Sequence, residues 1–332
     1  MKLTPYPLPP LPLVDGHLFI DNSFLDKFNS CPRAAEYTLL HRRVLANAAA
    51  ALNYGGAIHA ALAHRYTTSG DYITPTVENE QCELLTKWFE EKPNPVDDHR
   101  TLELACSHIR AYNKCYFSET FNVLHWQGAP AVELPFTFHL GEVEIKFEDG
   151  MRLVQVMYCG RIDLVVQDDN QVFVVDHKTS SIMGDQFFKG LSVSPQMMGY
   201  ICGLESLAGQ RPAGFIVNSL RVPSPRKREG MVIKDDDFQR LKTYVHDSQT
   251  LEWRDNTMDL VEEFAWRYNR GFMAQKKSWC VHKFGLCEYF EVCAVPRENR
   301  KLLLDSGMFV DNEWSPLNDF PHELLNKPTV KP

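Results

Sequence analysis

Positive charge is what this 332-residue sequence is short of: 35 Lys and Arg stand against 43 Asp and Glu, a formal net charge of -8. A protein that coats nucleic acid with its whole surface is usually basic, so any contact with a polyanion must come from a local groove. No apolar run reaches the roughly 18 residues of a membrane-spanning helix, and no membrane association is expected. The N-terminus, one Lys and then a proline-rich run through Pro12, lacks the apolar core and cleavage site of a secretory signal, so a cytoplasmic protein is expected. A dinucleotide-binding glycine fingerprint is missing, as are a Walker A loop, a zinc finger, a basic zipper and an RNP pattern. Any unwinding is therefore expected to need a separate partner, and sequence-specific reading of DNA is not indicated. A hydrophobic share of 44% and a charged share of 23% are ordinary for a globular chain of this length, which buries a core without staples.

Residues 1–19 form a proline-rich arm. Asn22-Ser23 caps a short helix with Phe24, Leu25 and Phe28 on one face. Residues 33–52 read as helix, Gly55-Gly56 breaks the run, and 57–67 resume it. The segment 78–120 reads as two helices parted at Pro93-Asn94-Pro95. The period then changes. Residues 131–140, 151–158, 160–167 and 171–177 read as strands, and Asp168-Asp169-Asn170 is a hairpin turn. Helix returns at 195–208, a strand follows at 213–220, and 236–270 reads as one long helix. From 296 to 332 the tail reads as irregular. The order gives an α/β fold with a mixed sheet flanked by helices.

Asp163 ends Tyr158-Cys-Gly-Arg-Ile-Asp163, and Val174-Val-Asp-His-Lys178 carries Asp176 and Lys178. The hairpin lays these strands side by side, and Asp176 and Lys178 share a parity and hence a face. Two carboxylates held together repel unless a divalent cation lies between them. Hard oxygen donors suit Mg²⁺ or Mn²⁺, which acidifies a water for attack on phosphorus. Lys178 is placed to orient that water or to neutralise a phosphate oxygen. The His177 carbonyl is a further candidate ligand. A solvated edge strand would carry the same triplet, but Val172-Phe-Val-Val175 marks a buried strand, whose terminal charges need partners. His59, among small residues after Gly55, is a candidate ligand for Mn²⁺, and Glu133 is a carboxylate in an apolar strand. Gln196 and Tyr200, at i and i+4 after Pro195, share a helix face.

Together these stretches resemble the PD-(D/E)XK nuclease superfamily, in its RecB-like, Cas4-type iron-sulfur branch, over residues 20–295 with a helical insertion at about 60–125. The ordered set carries the likeness: Gly55 to His59, Glu133, Asp163, Asp176 with Lys178, and Gln196 to Tyr200. The resemblance implies a restriction-endonuclease-like core. It implies Asp163, Asp176 and Lys178 as the catalytic centre with Gln196 and Tyr200 beside it, and His59, Glu133, Asp163, Asp176 and His177 as metal ligands. His177 departs from an aromatic residue common in relatives.

Nine cysteines include three crowded together, Cys280, Cys287 and Cys293, and a distant Cys31 before Pro32. Four soft thiolates suit zinc or iron and sulfur. The resemblance, which pairs an N-terminal Cys-Pro with three C-terminal cysteines, implies a [4Fe-4S] cluster joining both ends of the nuclease domain, although the interval from Cys280 to Cys287 is longer than in relatives. The basic loop from Arg221 through Arg226-Lys227-Arg228 is a candidate phosphate contact, and Arg33, Arg42 and Arg43 add positive potential near Cys31. The expected activity is that of a metal-dependent DNA exonuclease acting on single-stranded DNA or free ends, in DNA repair, recombination, phage replication or DNA acquisition, with any helicase or recombination partner a separate protein. The competing expectation is a nuclease-fold subunit that binds DNA ends or a partner without efficient chemistry.

Overall fold

A tight turn organises the middle of the chain. Asp169 and Asn170 hold φ of 49° and 62°, the left-handed pair that a two-residue hairpin demands and that Asp and Asn tolerate. The flanking strands, Gly150–Asp168 and Gln171–Ser180, pair antiparallel from Asp168 opposite Gln171 to Leu164 opposite Val175. The computed structural model describes residues 8–46, 50–69, 72–223, 233–282, 285–311 and 317. The chain divides into two units: Met1–Asn47, Thr137–Gly160 and Leu251–Pro332 in one, Ala48–Phe136 and Arg161–Thr250 in the other.

The second unit holds the hairpin end. Gln171–Ser180 pairs in parallel with Gly214–Arg221, which pairs antiparallel with Phe238–Tyr244. The sheet is therefore mixed. The parallel step requires a crossover, and the helix Pro195–Ala208 lies within it, started by Pro195 and stopped at Gly209, whose φ is 64°. On the opposite face the helices Ala50–Thr68, Pro75–Glu91 and Leu102–Cys115 bury Ile58, Leu62, Leu85 and Ile109 against Leu164, Phe173, Val175 and Ile216.

In the first unit Leu18–Ile20 runs parallel to the strand at Val156–Tyr158. Asp21, one residue before the expected cap, accepts from the Phe24 N–H and starts the helix Asn22–Ser30. Phe24 and Phe28 meet Phe264 edge to face at 5.0 and 5.4 Å.

Several expectations need correction. The expected helix over 33–52 is interrupted: Pro32–Ala35 passes into a wide turn at Glu36–Leu40, and Arg43–Leu45 is a strand paired with Phe309–Asp311. That pairing and the short helix Arg300–Leu304 also put order into the tail. Gly55 and Gly56 do not end a helix but lie inside Ala50–Thr68. They are there for space, since a Cβ would meet Thr179 Oγ1 at 3.1 Å from Gly55 and the Trp88 ring at 2.9 Å from Gly56. The strands expected at 151–158 and 160–167 are one strand, and Phe238–Tyr244 is strand where helix was expected. Among the described residues no helix is long and apolar enough to cross a membrane.

Candidate active site

The hairpin ladder ends at Leu164 and Val175, so Asp163 and Asp176 come next, where the two strands open. The backbone there needs a substitute partner. His177 finds one, donating its N–H to Asp163 Oδ2 at 2.7 Å. His59 Nδ1, from the Ala50–Thr68 helix, lies 3.3 Å from the same oxygen. Donor atoms of His59, Glu133 and Asp163 all lie within 4.8 Å of one another. Glu133 reaches this point from a strained backbone, φ 48°, a region that side chains enter reluctantly and that clusters at functional sites. Its Oε2 is 2.6 Å from Arg161 Nε. Arg161 was not anticipated; its parity with Asp163, two residues on, was the available signal.

Asp176 is buried, 1% exposed. Lys178 Nζ lies 3.0 and 2.8 Å from its two oxygens, as the shared parity requires. The same ammonium donates to Gln196 Oε1 at 2.8 Å, and Gln196 Nε2 donates to the Tyr200 hydroxyl at 2.7 Å. Strand and crossover helix thus join in one polar chain.

The two acids sit in opposed environments. Burial pushes the Asp176 carboxyl up to about 6; the Lys178 ammonium pulls the other way, and the charge of Asp163 adds to the rise. Burial acts on Asp163 too, but His59 and the His177 N–H outweigh it and hold that carboxyl down at about 2. For His59, burial opposes the imidazolium, yet Asp163 beside it raises its pKa. Two carboxylates and an imidazole at this spacing form a donor set of hard oxygens and one borderline nitrogen, which fits Mg²⁺ or Mn²⁺.

The imidazole of His177 lies on the opposite face of its strand from Asp176, edge-on to the His59 ring at 5.9 Å. Its Nδ1 is 2.8 Å from Asn218 Nδ2, and its ring stacks on Tyr66 with centroids 5.8 Å apart. Asn218 Oδ1 accepts from Arg240 Nε at 3.2 Å, so its amide nitrogen is the donor to His177. Arg240 and Arg65 both bind Glu119, at 2.6 and 3.1 Å, and the Tyr66 hydroxyl donates to the same carboxylate at 2.7 Å. Burial, first of all, pushes the His177 pKa down to about 3, and these arginines add to the fall.

In the other unit, Cys31, Cys280, Cys287 and Cys293 are all free thiols. Cys31 is buried with Tyr37, Tyr289 and Val292, and Cys287 and Cys293 pack against that group. The Cys287 N–H donates to the Cys280 carbonyl at 3.0 Å, and the Lys276 N–H to Cys31 Sγ at 3.4 Å. Burial pushes the Cys287 and Cys293 thiols up, and Cys31 raises both further. Among the described residues the thiols do not converge as closely as His59, Glu133 and Asp163 do. Of the expected basic loop, Arg221 is tied to Asp237 at 2.6 Å; Arg226, Lys227 and Arg228 lie outside the described residues.

No curated protein matches the chain. A solved structure described as the crystal structure of SSO0001 is similar at 10% sequence identity over 62% of this chain and 74% of that one, with a TM-score of 0.24. A family model covers residues 23–294, a span that takes in the carboxylates, the lysine and all four cysteines. On that match the chain belongs to the PD-(D/E)XK nuclease superfamily.

Proposed function

We propose that this chain is a divalent-metal-dependent deoxyribonuclease of the RecB-like, Cas4-type branch, acting as an exonuclease on single-stranded DNA or free ends. The observation that carries the reading is the placement of Lys178 between Asp176 and Gln196, next to the converging donors of His59, Glu133 and Asp163. In this reading Asp163, Asp176, His59, Glu133 and the His177 carbonyl would hold Mg²⁺ or Mn²⁺, which would supply an acidified water and stabilise charge on the phosphate. Lys178 orients the attacking water and balances the scissile phosphate. Gln196 fixes the lysine and, with Tyr200, lines the path of the strand. The His177 N–H holds Asp163 ionised, ready to accept a cation.

Cys31, Cys280, Cys287 and Cys293 are proposed to hold a [4Fe-4S] cluster. Four unbridged thiols in one unit, three of them packed about one buried group, fit it, and a cubane holds its thiolates farther apart than a single ion does. Anaerobically purified protein is then expected to be brown, with about four irons per chain; a colourless protein with one zinc would remove the cluster from the reading.

The deciding assay uses end-labelled single-stranded, double-stranded and closed-circular DNA with Mg²⁺, Mn²⁺ or EDTA. Expected are cleavage that needs the ion and a free end, faster on single strands, and its loss in Asp176→Ala with the fold kept. Site-specific cutting of closed circles would replace the exonuclease reading with an endonuclease. No cleavage of any substrate would leave a binding subunit.

A further inference from the structure

Beside the cysteines, in the unit that carries them, the turn Arg297–Asn299 and the short helix Arg300–Leu304 help to line an open, shallow concavity. Among the described residues its walls set Arg33, His41, Arg297, Arg300 and Lys301 against one carboxylate, Glu36. In a chain with a net charge of -8, that is a local excess of positive charge. Part of it is spoken for. Arg33 Nε lies 3.1 Å from Glu36, His41 Nε2 lies 3.6 Å from the same carboxylate, and Lys301 pairs with Asp305 at 2.7 Å. Arg300 is different: its Nε is buried and has no hydrogen-bond partner among the described residues. A buried guanidinium donor without an acceptor carries a desolvation cost that a bound anion relieves. The planar fork of Arg suits the paired oxygens of a phosphate.

We infer that this concavity is a phosphate-binding site, built to take a backbone phosphate of a DNA strand through Arg300, with Arg297 and Lys301 at its rim. The backbone assignment rests on the deoxyribonuclease reading above; the phosphate chemistry does not. Arg33 and Arg300 also work against the upward push of burial on the Cys293 thiol, so the arginines have a second duty toward the cysteines, and the experiment must separate the two.

The test is fluorescence anisotropy with an end-labelled single-stranded oligonucleotide in EDTA, where no hydrolysis occurs, on the full cluster-loaded chain. Arg300→Gln is expected to weaken binding about tenfold. The slope of log affinity against log salt should fall by about 0.7, the share of one phosphate that the protein no longer neutralises. Lys301→Gln, at a largely exposed position that folding tolerates, should lower affinity less but in the same direction. Iron content and thermal midpoint are measured on each variant. Weakened binding at unchanged iron and midpoint supports the site. Unchanged affinity and slope in Arg300→Gln overturns it. So does a fall in affinity that appears only in proportion to lost iron, which would assign the arginine to the cysteines. Inorganic phosphate and a mononucleotide are run as competitors: displacement of the oligonucleotide by either, lost in Arg300→Gln, supports the phosphate chemistry of the site. Tight Arg300-dependent DNA binding by a chain that cuts nothing in Mg²⁺ or Mn²⁺ supports the pocket and sinks the nuclease reading instead.

Discussion

The ammonium of Lys178 donates to Gln196 Oε1 at 2.8 Å while gripping the carboxylate of Asp176 from two residues along the same strand. A lysine on its own is a flexible point charge. Here a strand carboxylate and a helix amide fix it from two sides, which is what the proposed role of positioning a water would require.

Two substitutions separate charge from placement. Lys178→Ala removes both and is expected to lower kcat by roughly a hundredfold or more with little change in KM, as for loss of an interaction made in the transition state. Gln196→Leu keeps the charge and frees it, so a smaller loss, about tenfold, is expected. Steady-state kinetics on a single-stranded substrate in Mg²⁺ decide the point. Equal losses would make Gln196 more than a support, and an unchanged rate in Lys178→Ala would dispose of the proposed centre.

A close backbone approach sets up the next case. A Cβ on Gly214 would lie 1.9 Å from the Thr243 carbonyl oxygen of the paired strand. Neither partner is a flexible side-chain end, so the Gly214–Arg221 and Phe238–Tyr244 strands would have to part. Gly214→Ala is expected to destabilise the protein by about 3 kcal/mol, read as a lower denaturation midpoint at unchanged slope in urea. A loss below about 0.5 kcal/mol, the scale of an innocuous surface change, would mean that the strands yield without cost.

What was legible in the sequence was whatever depends on neighbours in the chain. The parity of Asp176 and Lys178, the four-residue step from Gln196 to Tyr200 and the turn at Asp169-Asn170 are all local, and they bring together the polar chain of the candidate site. Phe238–Tyr244 failed for the opposite reason. Its Phe238, Leu241 and Val245 imitate helical spacing, and pairing with Gly214–Arg221 decides the matter from outside. Gly55 and Gly56 read as breakers because the residues they make room for, Thr179 and Trp88, are distant in sequence. Glu133 with Arg161 and Glu119 with Arg240 were invisible likewise, each pair joined only by the fold.

Acid should find a weak point at His108. This residue is fully buried, with Nδ1 2.9 Å from the Tyr54 hydroxyl, and burial pushes its pKa down to about 4, against the charge of Asp237. The unfolded chain takes up that proton near pH 6.5, as a free imidazole does. The folded pKa is the lower one, so the stability that the neutral ring contributes is complete above about pH 6.5 and drains as pH falls through about 4, by on the order of 3 kcal/mol. Urea denaturation of the wild type and His108→Phe at neutral and mildly acid pH is the check. The variant should lose less on acidification, although His177, also depressed, leaves part of the slope in both. Parallel losses in the two proteins would show that His108 is not the group titrating.

Glu119 offers the sharpest test of how the site is supported. Its side chain is fully buried and balances both Arg65, 0% exposed, and Arg240, while Tyr66 donates to it and stacks on His177. Glu119→Gln keeps the shape and removes the charge that both guanidinium groups pair with. Removing one partner of a buried ion pair costs about 3–5 kcal/mol, so a large drop in thermal midpoint is expected. Arg240 also bonds Asn218, which bonds His177, whose N–H holds Asp163. Disorder in the network should therefore reach the carboxylate. At a temperature where Glu119→Gln is still folded, Mn²⁺ affinity measured by calorimetry should fall, whereas Gly214→Ala, which perturbs the sheet on the far side of Gly214–Arg221, should leave it unchanged. Loss of stability in Glu119→Gln with wild-type Mn²⁺ affinity would confine the network to holding the fold.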